Sequence, residues 1–194
     1  MEIEEKDNRN LENRVMIFID GSNLYNSLKK YWIKVRFQEI IEVLGKGKNI
    51  VKIFYYTARL DIAFNKEKYL KHEKFLGKLK EIPNFNIVLC NLRKIVNRDG
   101  IIEFMIKGDD VYLANDVIKS AYENSYDVAI IVSGDEDFLP IIRTVRALGK
   151  KVTNAYFPKT SSYLLRKACD SSINLKNELK NKESKYGRTI PDNY

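Results

Sequence analysis

Three stretches of this chain bring carboxylates to places where a fold can gather them. Ile17, Phe18 and Ile19 run straight into Asp20, and Ile130, Ile131 and Val132 run through Ser133 and Gly134 into Asp135 and Asp137. A third acidic group, Asp109, Asp110 and Asp116, surrounds the start of a predicted helix. In an open parallel sheet, groups at the carboxyl ends of strands face a common crevice, so these segments aim acids at one rim. Clustered carboxylates repel, and a hard divalent cation is the common resolution. Mg²⁺ keeps several waters, so one or two direct carboxylates suffice while others hold those waters. Such a cation activates a water for attack on phosphorus and steadies the leaving oxygen.

The scarce residues exclude rival chemistries. His72 is the single histidine, and Cys90 and Cys169 are the only cysteines. A four-ligand Cys/His zinc site and a Cys-x-x-Cys redox pair are therefore out of reach. His72 lies in EKYLKHEKFLGKLK, a poor setting for the base of a Ser-His-Asp triad. The glycines form neither G-x-x-x-x-G-K-S/T nor G-x-G-x-x-G. By elimination, metal-bound hydroxide is the natural nucleophile for this chain.

A chain of 194 residues with 44% hydrophobic composition has the size and core of one ordinary domain. The formal charge of +8 favours a polyanionic partner such as nucleic acid. The longest apolar runs, VMIFI and VAIIV, are too short to span a bilayer. The acidic start, MEIEEKDNRN, is the opposite of a secretory signal, and a cytoplasmic location is expected.

The elements that must position the acids alternate along the chain. Strands are predicted over Val15–Asp20, Ile50–Thr57, Asn86–Leu92, Asp127–Val132 and Lys151–Phe157. The run at Asp127–Val132, apolar after its first residue, suits a central strand. Residues Lys94–Met105 read as a hairpin turning at Asn97–Gly100, where Asp-Gly favours positive φ. Helices are predicted after Ser22 and over Arg36–Leu44, Lys66–Leu79, Val111–Glu123, Phe138–Leu148 and Ser161–Ala168. Their inner faces are read as Tyr69, Leu70, Leu76 and Leu79; as Val111, Ala114, Ile118 and Ala121; and as Leu139, Ile142, Val145 and Leu148. This pattern predicts a three-layer α/β sandwich with a mostly parallel central sheet. Residues 1–14 read as a polar lead, 15–176 as the domain and 177–194 as a basic tail that frays from about 181.

The stretches FIDGSNLY (Phe18–Tyr25), KGDDVYLANDV (Lys107–Val117) and IVSGDEDFLPIIRTVRALGKKV (Ile131–Val152) resemble, in this order, the NYN domain family in its LabA-like branch. That family belongs to the PIN-like metal-dependent ribonucleases. The resemblance implies a Rossmann-like PIN fold and hydrolysis of RNA to 5′-phosphate and 3′-hydroxyl ends with Mg²⁺ or Mn²⁺. It carries the family's first acid onto Asp20, its Asn onto Asn23, and its K-G-x-D element onto Lys107, Gly108 and Asp110. Its helix acid falls on Asp116, and its S-G-D-x-D-F element on Ser133, Gly134, Asp135, Asp137 and Phe138. The implied metal ligands are Asp20, Asp110, Asp116 and Asp135. Asp109 departs from the pattern, an apolar residue being commoner there, and its charge is expected to alter metal affinity or substrate fit.

Each residue also has a plainer reading. Asp20 could merely end a strand, Asp137 could cap the following helix, and Asn23 could order a turn rather than hold a metal-bound water. On the helical wheel Asp110 shares the stripe of Ala114, where an acid is costly unless it caps or coordinates. Asp116 lies nearly opposite and reads as a solvated acid without the resemblance. Lys107 either positions a phosphate or is one more surface lysine.

For RNA contact the sequence offers Lys29, Lys30, Lys34 and Arg36, interleaved with Tyr31 and Trp32, either of which could stack on an unpaired base, and the pair Arg143 and Arg146. Trp32 is expected in the core, and the six lysines of Lys66–Lys80 read as a solvated face. RNA is the expected partner and a membrane is not; a homodimer stays open. Two other functions compete: an RNA-binding module without turnover, and a small-molecule phosphatase. The second lacks the D-x-D expected after its first strand, since Asp20 is followed by Gly21 and Ser22.

Overall fold

The computed structural model describes residues 13–63, 65–96 and 102–186. The chain runs β1 (Arg14–Asp20), α1 (Gly21–Lys30), α2 (Phe37–Gly45), β2 (Asn49–Ala58), α3 (Lys66–Lys80), β3 (Phe85–Val96) and β4 (Ile102–Lys107). It continues through α4 (Asp109–Tyr122), β5 (Val128–Val132), α5 (Leu139–Ala147), β6 (Lys151–Tyr156), α6 (Tyr163–Ala168), β7 (Ser171–Asn174) and α7 (Leu175–Tyr186). Short 3-10 turns at Glu136–Phe138 and Pro158–Thr160 lead into α5 and α6.

The sheet has seven strands in the order β4-β3-β2-β1-β5-β6-β7, parallel except for the antiparallel β3–β4 pair. The predicted α/β sandwich is the fold observed. β1 shows why it has three layers. Val15, Ile17 and Ile19 enter the core formed with α1, α2, α3 and α7, while Met16 and Phe18 enter the core formed with α4, α5 and α6. Alternation with a period of two puts successive side chains on opposite faces, and here both faces are covered.

Several expectations change. Residues 97–100, the anticipated turn, lie outside the described residues, but β3 and β4 pair as the hairpin reading requires, from Asn91↔Lys107 to Val96↔Ile102. The strand β7 and helix α7 add to the elements that the sequence pattern predicts. Rather than fraying from 181, the chain stays helical to Tyr186, and Leu175 and Leu179 are buried against α2 and the sheet. On α3 only Leu76 and Leu79 are buried, and Leu70 is exposed. On α5, Ile142 and Val145 are buried as anticipated but Leu148 is exposed.

The rotation of α4 differs as well. Its buried stripe is Leu113, Val117, Ser120 and Ala121, and Val111 faces out. Both registers are apolar in sequence, and the observed one buries the larger Leu113 instead of Ala114. Gly108, left-handed at φ +88°, makes the sharp passage from β4 into this helix.

The end of α1 corrects the reading of Trp32. The N–H of Ile33 donates to the Leu28 carbonyl at 3.0 Å and that of Trp32 to Lys29 at 3.1 Å, the paired bonds of a Schellman closure. That closure turns Ile33 inward onto Leu28 and leaves Trp32 outside, left-handed at φ +55° and 88% exposed. A non-glycine residue there costs about 1–2 kcal/mol.

Gly77, in the last turns of α3, meets the opposite condition. A Cβ added there has nothing within 4 Å, and its φ is not in the left-handed region. Gly77→Ala is therefore expected to raise stability by about 0.5–1 kcal/mol in a denaturant titration, the helix-propensity difference.

Candidate active site

The site forms where the sheet order reverses. From β1 the chain builds outward through β2, β3 and β4, then returns to place β5 on the other side of β1. Parallel sheets bind ligands beyond the strand ends at such a switch point. Ile19 is in register with Val132, so Asp20 and Ser133 leave the sheet side by side. The Ser133 hydroxyl donates to Asp20 Oδ2 at 2.9 Å, and the Asn23 N–H donates to Asp20 Oδ1 at 2.9 Å. Asp20 thus also caps α1, and its plain and functional readings coexist.

Asp20 is only 5% exposed. Burial first, then the charges of Asp110 and Asp109, push its carboxyl up to about 6, although the bonds from Asn23 and Ser133 pull it down. The neighbouring Ile17, Phe18 and Ile19 are fully buried, each stabilising by roughly 1.5–3 kcal/mol, which offsets the cost of holding this acid at the strand end.

The loop after β5 is fixed from two sides. The Asn23 side-chain oxygen accepts from the Gly134 N–H at 3.1 Å, tying α1 to the loop. The Asp135 N–H donates to Ser133 Oγ at 3.1 Å, and Asp135 Oδ1 accepts from the Asp137 N–H at 3.0 Å. The cap anticipated for Asp137 therefore belongs to Asp135, while Asp137 is exposed and begins no cap.

Asp109 and Asp110 open α4 and complete the rim. Asp109 Oδ2 accepts from the Ser22 hydroxyl at 3.3 Å. The Asp110 carboxyl is raised by partial burial and by Asp109, Asp135 and Asp137. Asp20, Asp109, Asp110 and Asp135 all line one cleft of about 990 Å³. None of these four acids pairs with a lysine or arginine among the described residues.

Asp116 takes a different place. It is half-buried beside the Leu113–Val117 stripe, not opposite it, and accepts from the Tyr56 hydroxyl at 3.0 Å. Burial, then Asp116, push the Tyr56 phenol well above its ordinary range. Tyr56 is the register partner of Asp20 on β2, so Asp116 is tied to the strand beside Asp20 and does not line the cleft. Lys107 is exposed at the end of β4 and does not line it either.

Sequence reasoning missed the far wall. Lys68, Lys71 and His72 of α3 line the same cleft, with Tyr25, Phe75 and Phe104. His72 Nε2 lies 3.0 Å from the Ala58 carbonyl oxygen, and burial lowers the pKa of its ring. The cleft is therefore acidic at the switch point, while the wall across from it is aromatic and mixed in charge, carrying Lys68 and an ion pair of Lys71 with Glu67 at 2.7 Å. The signal was present in the spacing of Lys68, Lys71 and His72, which places them along one helix face.

Of the anticipated RNA-contact residues, Lys29, Lys30 and Lys34 are exposed. Arg36 is held by Glu39 at 3.1 Å, and Arg146 by Asp170 at 2.9 Å and by the Ala168 carbonyl. Arg143 is exposed on α5, beside a shallow hollow it shares with Arg146 and Lys167.

An all-oxygen, anionic donor set suits a hard cation, and Mg²⁺ or Mn²⁺ fits it better than zinc. Among the described residues no three His, Cys, Asp or Glu side chains form a ready-made metal cage. The arrangement fits an ion held directly by one or two carboxylates, the others reaching its waters.

Fold and site together define an α/β domain with a carboxylate-lined cleft at the switch point of its sheet. A model of the NYN domain matches residues 14–176, and the chain belongs to that family, which is PIN-like and nuclease-related. A crystal structure of a protein of unknown function from Vibrio parahaemolyticus shares the fold, with a TM-score of 0.69 and 24% identity over 88% of this chain and 97% of the other. No curated protein matches the chain significantly. Among the described residues no helix is long and apolar enough to cross a membrane.

Proposed function

We propose that the protein is a metal-dependent endoribonuclease of the LabA-like NYN branch, acting in the cytoplasm on RNA. The observation that carries this reading is the meeting of Asp20, Asp109, Asp110 and Asp135 in one cleft, with Lys68 on its opposite wall. Asp20 and Asp135, with Asp110, would hold Mg²⁺ or Mn²⁺. When bound, the ion supplies an activated water and charge neutralisation for in-line displacement at phosphorus.

The chain's own residues do the positioning. Ser133 and the Asn23 N–H fix the Asp20 carboxylate, and the Asn23 side chain holds the loop that presents Asp135. Lys68 faces the substrate strand as a phosphate contact, a role that needs no sequence information. Asp116 acts through Tyr56 as a positioning residue, and Asp137 adds negative charge at the rim. The products carry 5′-phosphate and 3′-hydroxyl ends.

The test is cleavage of labelled single-stranded and hairpin RNA by wild type and Asp135→Asn, with Mn²⁺, with Mg²⁺ and with EDTA. Asparagine caps a helix start as well as aspartate, so this variant keeps its 3-10 turn. Changing a residue that only supports a metal ligand costs about 10–100-fold, so loss of a direct ligand is expected to cost more than about 100-fold. EDTA should silence the wild type. Equal binding by both proteins with cleavage by neither would replace the nuclease reading with that of an RNA-binding module.

A further inference from the structure

We infer that Trp32 and the lysines around it form a stacking platform for single-stranded RNA at the far end of α1 from the carboxylate cluster. α1 has ten residues, and at 1.5 Å per residue it separates the platform from Asp20 by roughly 15 Å. Trp32 is the only tryptophan of the chain, and it stands almost wholly in water at a helix-terminating position that favours glycine. Neither burial nor backbone preference accounts for an indole there, whereas contact with a flat ligand does.

The surroundings say which ligand. Lys29, Lys30 and Lys34 flank Trp32 in sequence, and Lys159 and Lys176 place their ammonium groups 5.6 and 5.5 Å from the ring of Tyr31. None of these five lysines pairs with an acid among the described residues. Unneutralised cations over the half-buried Tyr31 ring, one residue from the exposed indole, match phosphates alternating with unpaired bases. A duplex keeps its bases stacked and, except at its ends, offers the indole no face, so the fit is to a single strand.

The platform is also fixed to the site. The Tyr31 hydroxyl accepts from the Lys159 N–H at 2.8 Å, and the Lys30 ammonium donates to the Lys159 carbonyl at 3.2 Å. The same turn continues through Thr160 and Ser161 to Ser162, whose N–H donates to the Gly134 carbonyl at 2.9 Å, next to Asp135. A strand held at Trp32 therefore keeps a set distance from the acids.

The choice of RNA rests on the reading of the cleft, but the test needs no turnover. Asp135→Asn in EDTA is titrated with an oligouridylate and with a long RNA duplex, in which ends are few, while tryptophan emission is followed, all of which comes from Trp32. The oligouridylate should quench it and the duplex should not. Trp32→Gly should bind a labelled oligouridylate about tenfold more weakly while melting at the same temperature or higher. Lys159→Ala should lower the slope of log affinity against log salt by about 0.7. Unchanged emission at saturating oligouridylate, equal quenching by duplex, or undiminished binding by Trp32→Gly overturns the inference. So does emission that changes with protein concentration alone, which would make the platform a contact between copies of this chain. A wild type that quenches but never cuts fails the nuclease reading alone, and one that cuts with a silent Trp32 fails the platform alone.

Discussion

Asp20→Asn is expected to abolish RNA cleavage and, in metal-free buffer at pH 7.5, to make the protein more stable than wild type. The folded carboxyl titrates at about 6 against 3.8 for a freely solvated aspartate, because burial and then the charges of Asp110 and Asp109 outweigh the hydrogen bonds it receives. Between those two values the folded state holds a proton that the unfolded state has lost, so stability falls as pH rises from about 4 to about 6 and is flat above. That difference corresponds to an upper bound of about 3 kcal/mol, and an amide that keeps the cap to the Asn23 N–H should recover roughly 2 kcal/mol of it. For a domain of this size that is a rise of about 4–8 °C in melting temperature. The melting curves of the two proteins should converge below pH 4. Mn²⁺ should then raise the melting temperature of wild type and leave the variant nearly unmoved, since only a ligand of the folded state stabilises by mass action. A variant less stable than wild type at pH 7.5 would show Asp20 to be a structural cap whose charge the fold needs.

The same acids show where the sequence was legible and where it was not. Asp20 and Asp135 could be placed because each follows a continuous apolar strand, and two such strand ends share one edge of a parallel sheet. Their register could not be placed; it comes from the return of the chain after α4, which makes β1 and β5 neighbours. Asp109 and Asp116 exchanged prominence because α4 carries two apolar stripes, Val111–Ala114–Ile118 and Leu113–Val117–Ala121, and only packing against the sheet selects the second. The helix α7 was invisible because Leu175 and Leu179 are a single i, i+4 pair in an otherwise charged segment. Trp32 was misplaced for a related reason: hydrophobicity argued for the core, but the Schellman closure gives the inward position to Ile33. In each case local preference was ambiguous and a tertiary contact decided.

Gly134→Ala tests how tightly the loop after β5 is seated, and a loss of more than about 3 kcal/mol is expected, beyond the usual range for overpacking. A Cβ at this position would lie 1.9 Å from the Thr160 carbonyl oxygen and 2.7 Å from both the Thr160 carbonyl carbon and Ser161 Cα. All three are backbone atoms, so no rotamer change can relieve the clash. The turn cannot simply retreat, because Ser27 and Thr160 share a 2.6 Å hydrogen bond and the Ser162 hydroxyl donates to Glu136 at 2.6 Å. The constraint is steric and not conformational, since Gly134 does not need a left-handed φ. Gly21 follows the same logic on the other strand, where a Cβ would meet the Tyr56 carbonyl oxygen at 2.5 Å. The glycines of both acidic motifs are thus required by close backbone approach that packs the strand-end loops against their neighbours. Thermal unfolding of Gly134→Ala beside Gly77→Ala checks this, the first expected to melt many degrees below wild type and the second slightly above. If Gly134→Ala melts within a degree of wild type, the loop has room to yield, and the fixed spacing between Asp135 and the Lys159 turn does not hold.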